Sequence, residues 1–339
     1  MPLTENVTIA VDAMGGDNAP SVVLDGVAAA LTEDENLQVV LVGPADVVEP
    51  FASTHNRCTA AVATEVIGMA EHPAEAVRKK KDSSIVIGCK LVKEGKAQGF
   101  FSAGSTGACL AGATLGIGRI KGVSRPCLCS VIPSPVAPVV MADIGANADC
   151  KPEYLVQFAR MARVYAQVTL GIDNPSVGLL NIGEEETKGS EFAQECHRLM
   201  KEHVPNFRGN AEGRALALGG FDVIVTDGFT GNVALKVYEG VGMALLAGLK
   251  ETIYSTTKSK IGGLLIKDAL SKFKDELSAD KYGGAQLLGC KGVCLIGHGS
   301  SNAQAICSGV LATADAIRQD MPGRLAFALA DGDAQAEGL

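Results

Sequence analysis

Three loops of this chain carry residue types that bind small anions. In "VIVTDGFTGNVALK" (Val223 to Lys236) an apolar run ends in Asp227, breaks at Gly228 and Gly231, and resumes with helical spacing, with Asn232 at the capping position. "GSTGA" presents Gly104, Ser105, Thr106 and Gly107, and "GHGSSN" presents His298 between glycines after an apolar strand. Glycine lets backbone approach a ligand closely, and the start of a helix offers unpaired N–H groups at the positive end of its dipole. Loops of this composition are anion cradles, with phosphate the obvious candidate. The preferred cradle for a phosphate and an oxyanion joins Gly104 to Gly107 with Gly228, Thr230, Gly231 and Asn232. The plainer reading makes Ser and Asn helix caps and Gly turn residues.

Other polar residues surround this group. Lys188, at the end of "GEEETK", is the preferred cation; a solvated helix-face lysine paired with Glu184 is the equal alternative. His298 is the candidate acid, against a structural loop histidine. Asp12, Asp143 and Asp227 each end an apolar run and either orient these groups or cap turns and helices. Cys109 follows "GSTGA" and reads as a small buried thiol.

The elements that hold these loops follow one grammar. Six apolar runs each break into Gly plus Ser, Thr, Asn or Asp and then open a helix, as in "VTIAVDAMGGDNAP" and "PVVMADIGAN". That alternation predicts an α/β fold with a mainly parallel sheet covered on both faces. In such a sheet the loops after the strands emerge at one edge, so the cradle loops are expected to be neighbours.

Composition narrows the chemistry. With 339 residues, 47% hydrophobic content and 40 glycines, the chain can bury a large core and needs many tight turns. A net charge of -8 argues against nucleic acid as a partner. The ten cysteines are scattered without metal-ligand spacing and are expected to be reduced. The N-terminal stretch has no export-signal pattern, and the apolar run Cys127 to Met141 is broken by Pro133, Pro135 and Pro138, so no membrane span is expected. G-x-G-x-x-G is only approached at "GHGSSN", no Walker sequence, G-x-S-x-G elbow or zinc motif occurs, and the Glu184 to Glu186 run is explained by a helix dipole. Neither cofactor nor metal is expected.

Seven blocks in order, "AVDAMGGDNAP", "FFSAGSTGA", "ADIGANAD", "NIGEEETKG", "DGFTGNVALK", "KYGGAQLLG" and "IGHGSSN", resemble the PlsX family of acyl-carrier-protein:phosphate acyltransferases, over about Val7 to Gln319. The resemblance implies a three-layer αβα fold like the isocitrate/isopropylmalate dehydrogenases and phosphotransacetylases, and a homodimer. It also implies transfer of a long-chain acyl group from acyl carrier protein to inorganic phosphate. The acyl phosphate would pass to a membrane acyltransferase that acylates glycerol 3-phosphate, placing the chain in the cytoplasm at the inner face of the cell membrane. Phosphate is already an oxyanion nucleophile, so positioning and charge stabilisation suffice and no covalent enzyme nucleophile is needed. Two alternatives stand beside this: a CoA-dependent phosphate acyltransferase, and a non-catalytic scaffold at the membrane surface.

Local charge and amphipathic pattern speak to partners. Arg78, Lys79, Lys80 and Lys81 in "RKKKDSS", and Arg119, Lys121 and Arg125 in "GRIKGVSRP", are candidate docking patches for an acidic carrier protein; solvated loops are the alternative. Between Lys250 and Lys274 six lysines face Glu251 and Asp268. Ile261, Leu264, Leu265, Ile266, Leu270 and Phe273 form an apolar stripe there, suited to a membrane interface or to core and dimer packing. Residues 1–329 are thus expected to form one α/β unit with a protruding amphipathic helical segment at 245–277, and 330–339 a disordered tail.

Overall fold

The computed structural model describes residues 6–276 and 282–336. The first half contains β1 (Val7–Asp12), α1 (Ser21–Glu33), β2 (Leu37–Gly43), α2 (Ala45–Thr54), β3 (Cys58–Val62), α3 (Pro73–Lys79), α4 (Ser84–Lys93), β4 (Gly99–Ser102) and α5 (Thr106–Gly112), which runs into a π-helical turn at Ala113–Ile117. Then follow β5 (Cys127–Ile132), β6 (Val139–Ala142), α6 (Pro152–Leu170), β7 (Val177–Asn181), α7 (Glu191–His203), β8 (Phe207–Glu212), α8 (Ala215–Leu218), β9 (Val223–Val225) and α9 (Gly228–Tyr254). The chain closes with α10 (Thr257–Leu265), α11 (Lys267–Glu276), β10 (Ala285–Leu288), β11 (Val293–Ile296), α12 (Ala303–Arg318) and α13 (Met321–Ala336).

The strands form one sheet in the order β3-β2-β1-β4-β11-β10-β5-β6-β9-β7-β8. Helices cover both faces, as the strand–loop–helix grammar requires. Beneath α1 and α12, Val11, Phe101 and Val310 are buried; α6, α7 and α13 bury Phe158, Met161 and Met200. On the opposite face α4 and α5 enclose Ile85, Phe100 and Cys109. The helix starts are chemically specified. Pro152 opens α6, Ser190 accepts from the Ala193 N–H to cap α7, and Asn302 accepts from the Ala305 N–H to cap α12.

The mainly parallel expectation holds, but the sheet reverses polarity in its middle. β1 pairs in parallel with β2 and β4, and β4 with β11. β10 is then antiparallel to both β11 and β5, and β5 is antiparallel to β6. Beyond that seam β6, β9, β7 and β8 are parallel to one another and opposed to β1. The loops after the strands therefore do not all emerge at one edge. Those after β1, β4 and β11 leave one edge, and those after β6, β7 and β9 leave the other. "GSTGA" and "GFTGN" accordingly follow strands of opposite direction.

Two boundaries also shift. α9 runs for 27 residues, about 40 Å at 1.5 Å per residue, and its residues are exposed from Gly240 to Thr252, so the projecting segment starts before residue 245. Among the described residues α9 is the one helix long and apolar enough, by length and composition, to cross a bilayer. Helix α10 folds back, with Gly263 against Ile253. Ile261, Leu264, Leu265, Ile266 and Phe273 are exposed and Leu270 is partly so; Leu277 lies outside the described residues. The expected disordered tail is instead helical to Ala336, because the alanine-rich "ALADGDAQA" favours continuation of α13; residues 337–339 lie outside the described residues.

Candidate active site

At the first edge, the loops after β1, β4 and β11 interlock. A Cβ on Gly15 would lie 2.7 Å from the Gly104 nitrogen, and the Asp17 N–H donates to the Gly299 carbonyl at 2.8 Å. Asp12 is buried at the end of β1. Its Oδ2 accepts from Ser102 Oγ at 2.7 Å and its Oδ1 from the Met14 N–H at 3.0 Å, while Ser102 Oγ accepts from the Gly104 N–H at 3.0 Å. Asp12 therefore orients these loops. Ser105 Oγ accepts from the Ala108 N–H, so Ser105 caps α5, and Thr106 and Gly107 form the open first turn, where N–H groups lack intrahelical acceptors.

Burial pushes the Asp12 carboxyl above its ordinary 3.8, against hydrogen bonds from Ser84, Ser102 and Met14. A raised native value means that the native state holds this proton more tightly than the unfolded chain. The corresponding stability is complete below pH 3.8 and is lost as pH rises through the native value. Asp12→Asn should consequently gain on the wild type in urea-unfolding free energy as pH rises from about 4. Parallel pH profiles for the two proteins would refute this.

At the second edge, Asp143 organises the loop after β6. Its Oδ1 accepts from the N–H groups of Leu128 (3.0 Å), Gly145 (3.2 Å) and Ala146 (3.0 Å). Its Oδ2 accepts from the Asn147 N–H (2.8 Å) and Nδ2 (2.9 Å). Helix α9 starts directly against this loop. The Gly228 N–H donates to the Asn147 carbonyl at 2.8 Å, and a Cβ at Gly231 would lie 1.9 Å from the Asp143 carbonyl oxygen. The two glycines of "GFTG" are thus required by the protein's own backbone.

Asp227, not Asn232, caps α9. Its Oδ1 accepts from the Thr230 N–H at 2.9 Å and its Oδ2 from Thr230 Oγ1 at 2.7 Å. The Gly231 N–H donates to the Asp227 carbonyl at 2.9 Å. The N–H groups of Gly104, Gly228, Thr230 and Gly231 therefore already have acceptors. Asn232 sits in the second turn of α9 with an exposed side chain, facing Gly145.

Lys188 is exposed at the end of the loop after β7, its N–H bonded to the Glu185 carbonyl at 3.0 Å. The alternative pairing with Glu184 does not form, because Glu184 Oε1 meets Arg214 at 3.2 Å. The loop is held from below: Asn210 Nδ2 donates to the Glu185 carbonyl at 2.8 Å, and Asn210 Oδ1 lies 2.9 Å from Nδ1 of the buried His197. Sequence reading missed that support, whose signal is distributed over three elements. It also missed Lys236. This residue lies on α9, and its Nζ is 3.4 Å from His298 Nε2 in the loop after β11. Helix α9 thereby bridges the two edges.

Three features complete the neighbourhood. A shallow cleft of about 390 Å³ beside Asp227 is lined by Ala148, Asp149, Cys150, Phe192 and Phe229. All ten cysteines are free and nine are buried; burial pushes the Cys109 thiol up to about 12. In the expected docking patches, Lys79 pairs with Glu75 and Lys80 with Glu71, while Arg119 donates to the Val123 and Ser124 carbonyls. Arg78, Lys81, Lys121 and Arg125 are exposed.

Comparison with known proteins extends these observations. The model of a family described as "Fatty acid synthesis protein" matches residues 7–324. A phosphate acyltransferase of Clostridium botulinum (strain ATCC 19397 / Type A) is 47% identical over 301 residues, covering 88% of this chain and 90% of that protein. A phosphate acyltransferase of Desulfitobacterium hafniense (strain Y51) is 49% identical over 302 residues, with the same coverage of 88% and 90%. Among solved structures, a phosphotransacetylase from Streptococcus pyogenes superposes with a TM-score of 0.61 at 18% identity, covering 94% of this chain and 96% of that one. A branched-chain phosphotransacylase from Enterococcus faecalis V583 gives 0.56 at 15% identity, over 91% and 99%. The last two share the fold.

Proposed function

The chain belongs to the family of fatty acid synthesis proteins, and on that premise we propose that it transfers a long-chain acyl group from acyl carrier protein to inorganic phosphate. It is an acyltransferase, as its relatives are. The observation that carries the finer reading is the meeting of α9 with the loop after β11, which brings His298 to the helix that bears Asn232.

The chemistry needs little from the protein beyond placement. A phosphate oxygen attacks the thioester carbonyl, the C–O bond forms, the C–S bond breaks, and the departing thiolate takes a proton. Asn232 supplies an amide donor to the tetrahedral oxyanion, and His298, when its ring carries a proton on both nitrogens, passes the Nε2 proton to sulfur and is left as the neutral imidazole. Direct attack by phosphate is supported by the thiols: Cys109, beside "GSTGA", is buried with its thiol raised to about 12, so a thiolate nucleophile is disfavoured there. The apolar side of the cleft at Phe192 and Phe229 suits an acyl chain.

The same reading assigns the surfaces. Exposed Arg78, Lys81, Lys121 and Arg125 are the part of the basic patches free to attract an acidic carrier protein, an effect on encounter rate. The exposed apolar residues of α9 and α10, among them Val237, Val241, Leu264 and Leu265, support both a homodimer and contact with the inner membrane surface, where a glycerol-3-phosphate acyltransferase would consume the product.

The test is acyl phosphate, trapped with hydroxylamine, formed from a long-chain acyl carrier protein and phosphate. Wild type is expected to give phosphate-dependent product, and Asn232→Ala at least about tenfold less, about 1.4 kcal/mol of transition-state stabilisation. Product with CoA thioesters alone would move the assignment to a CoA-dependent enzyme. No product with either donor would leave the scaffold.

A further inference from the structure

Lys236 follows Asn232 by four residues, so the two side chains share one face of α9, a turn apart. Its Nζ lies 2.7 Å from Glu239 Oε2 and 3.4 Å from His298 Nε2. The tautomer of His298 decides the nature of the second contact. The backbone N–H of Ser300 donates to His298 Nδ1 at 3.3 Å, and Ser300 Oγ lies 2.7 Å from the same nitrogen. With Nδ1 the acceptor, the ring proton resides on Nε2. In the tautomer assigned by that backbone N–H, an imidazole N–H faces an ammonium group, donor against donor.

Glu239 accepts one of the three ammonium protons, leaving Lys236 with donors to spare toward His298. Two donors that converge without an acceptor between them are satisfied by an anion with an oxygen for each, and bonds from a charged donor to an anionic oxygen are the strong kind. Lys236 comes from the β9 side of the seam and His298 from the β11 side, so an anion held here would join the two halves of the sheet.

We propose that Lys236, rather than Lys188, is the cation that binds inorganic phosphate, with His298 Nε2–H on the other side of the same anion and Asn232 one turn away. This rests on acyl transfer to phosphate as the reaction. A phosphodiester in the acyl donor's thiol-bearing arm offers similar oxygens, and the two sources separate by experiment.

The variants are Lys236→Met and Lys236→Arg; the lysine side chain is half exposed, so neither change threatens the core. Two quantities are read: the KM values for phosphate and for thioester, and the rise in thermal midpoint caused by inorganic phosphate alone. In Lys236→Met the phosphate KM should rise about tenfold or more, as loss of a charge-assisted hydrogen bond implies. The thioester KM should hold within about twofold and the phosphate-induced rise should disappear. Lys236→Arg should restore both. An unchanged phosphate KM and an unchanged thermal response would overturn the assignment, as would a rise confined to the thioester KM, which would put the donor's phosphodiester at this pair. If the wild type forms no acyl phosphate, the thermal response still decides whether Lys236 binds phosphate.

Discussion

Gly231→Ala should lower the thermal midpoint by roughly 6 °C or more and abolish acyl phosphate formation. A Cβ at that position would lie 1.9 Å from the Asp143 carbonyl oxygen and 3.0 Å from its carbon, and both are backbone atoms that no rotamer change can move aside. Either the start of α9 lifts or the loop after β6 retreats. Overpacking of this kind costs about 1–3 kcal/mol and occasionally more; the separation here puts it at the upper end, and each kcal/mol corresponds to about 2–4 °C for a chain of moderate size. The adjacent residue is Asn232, so any relief of the clash displaces the amide assigned to the oxyanion. Gly240→Ala is the control. It lies in the same helix with nothing within 4 Å of the added carbon, and alanine there should be neutral or stabilising by up to about 1 kcal/mol. Equal thermal midpoints for the two variants would show that "GFTG" is not fixed by close backbone packing.

The contrast between those two glycines shows what local sequence reveals. A β-branched run, a glycine-containing break and a helical pattern identified the strand–loop–helix units, because each of those signals is local. The glycines of "GFTG" suggest close approach to a ligand, but a backbone makes the same demand, and here the approaching group is the loop at Asp143 and Asn147. The reversal of sheet polarity left no such trace. Whether β10 pairs in parallel or antiparallel is set by its neighbours β11 and β5, and β5 lies more than 150 residues away in the chain. Without that pairing, all post-strand loops were assigned to one edge.

Side-chain partners separated in sequence were hidden for the same reason. Lys236 reads as an ordinary helix-surface lysine paired with Glu239, and the contact that distinguishes it comes from His298, 62 residues later. Glu184 seemed a partner for Lys188 through helical spacing, yet the segment is a loop and Arg214 takes the carboxylate. The caps were legible only in part: Ser105 and Asp227 occupy the positions that short polar side chains favour before a helix, whereas Asn232, the expected cap of α9, lies a turn inside it.

Asp143→Ala should cost about 3–5 kcal/mol of unfolding free energy, as expected when one side of a buried charged network is deleted. Four backbone N–H groups and one side-chain amide converge on this carboxylate. All five are donors, so the carboxylate is the form that satisfies them, although burial pushes its pKa above the ordinary 3.8. Asp143→Asn should fall between the wild type and Asp143→Ala: its carbonyl oxygen still accepts, while its amide nitrogen faces N–H groups with donors of its own. Urea unfolding with an unchanged slope would measure the order. An alanine variant within about 1 kcal/mol of the wild type would mean that the loop is held without the carboxylate. Because Leu128 on β5 is one of the five donors' owners, and α9 starts on the Asn147 carbonyl, the damage should reach both the seam strand and the helix that carries Asn232 and Lys236. Acyl phosphate formation should therefore fail in Asp143→Ala even at temperatures where the chain remains folded.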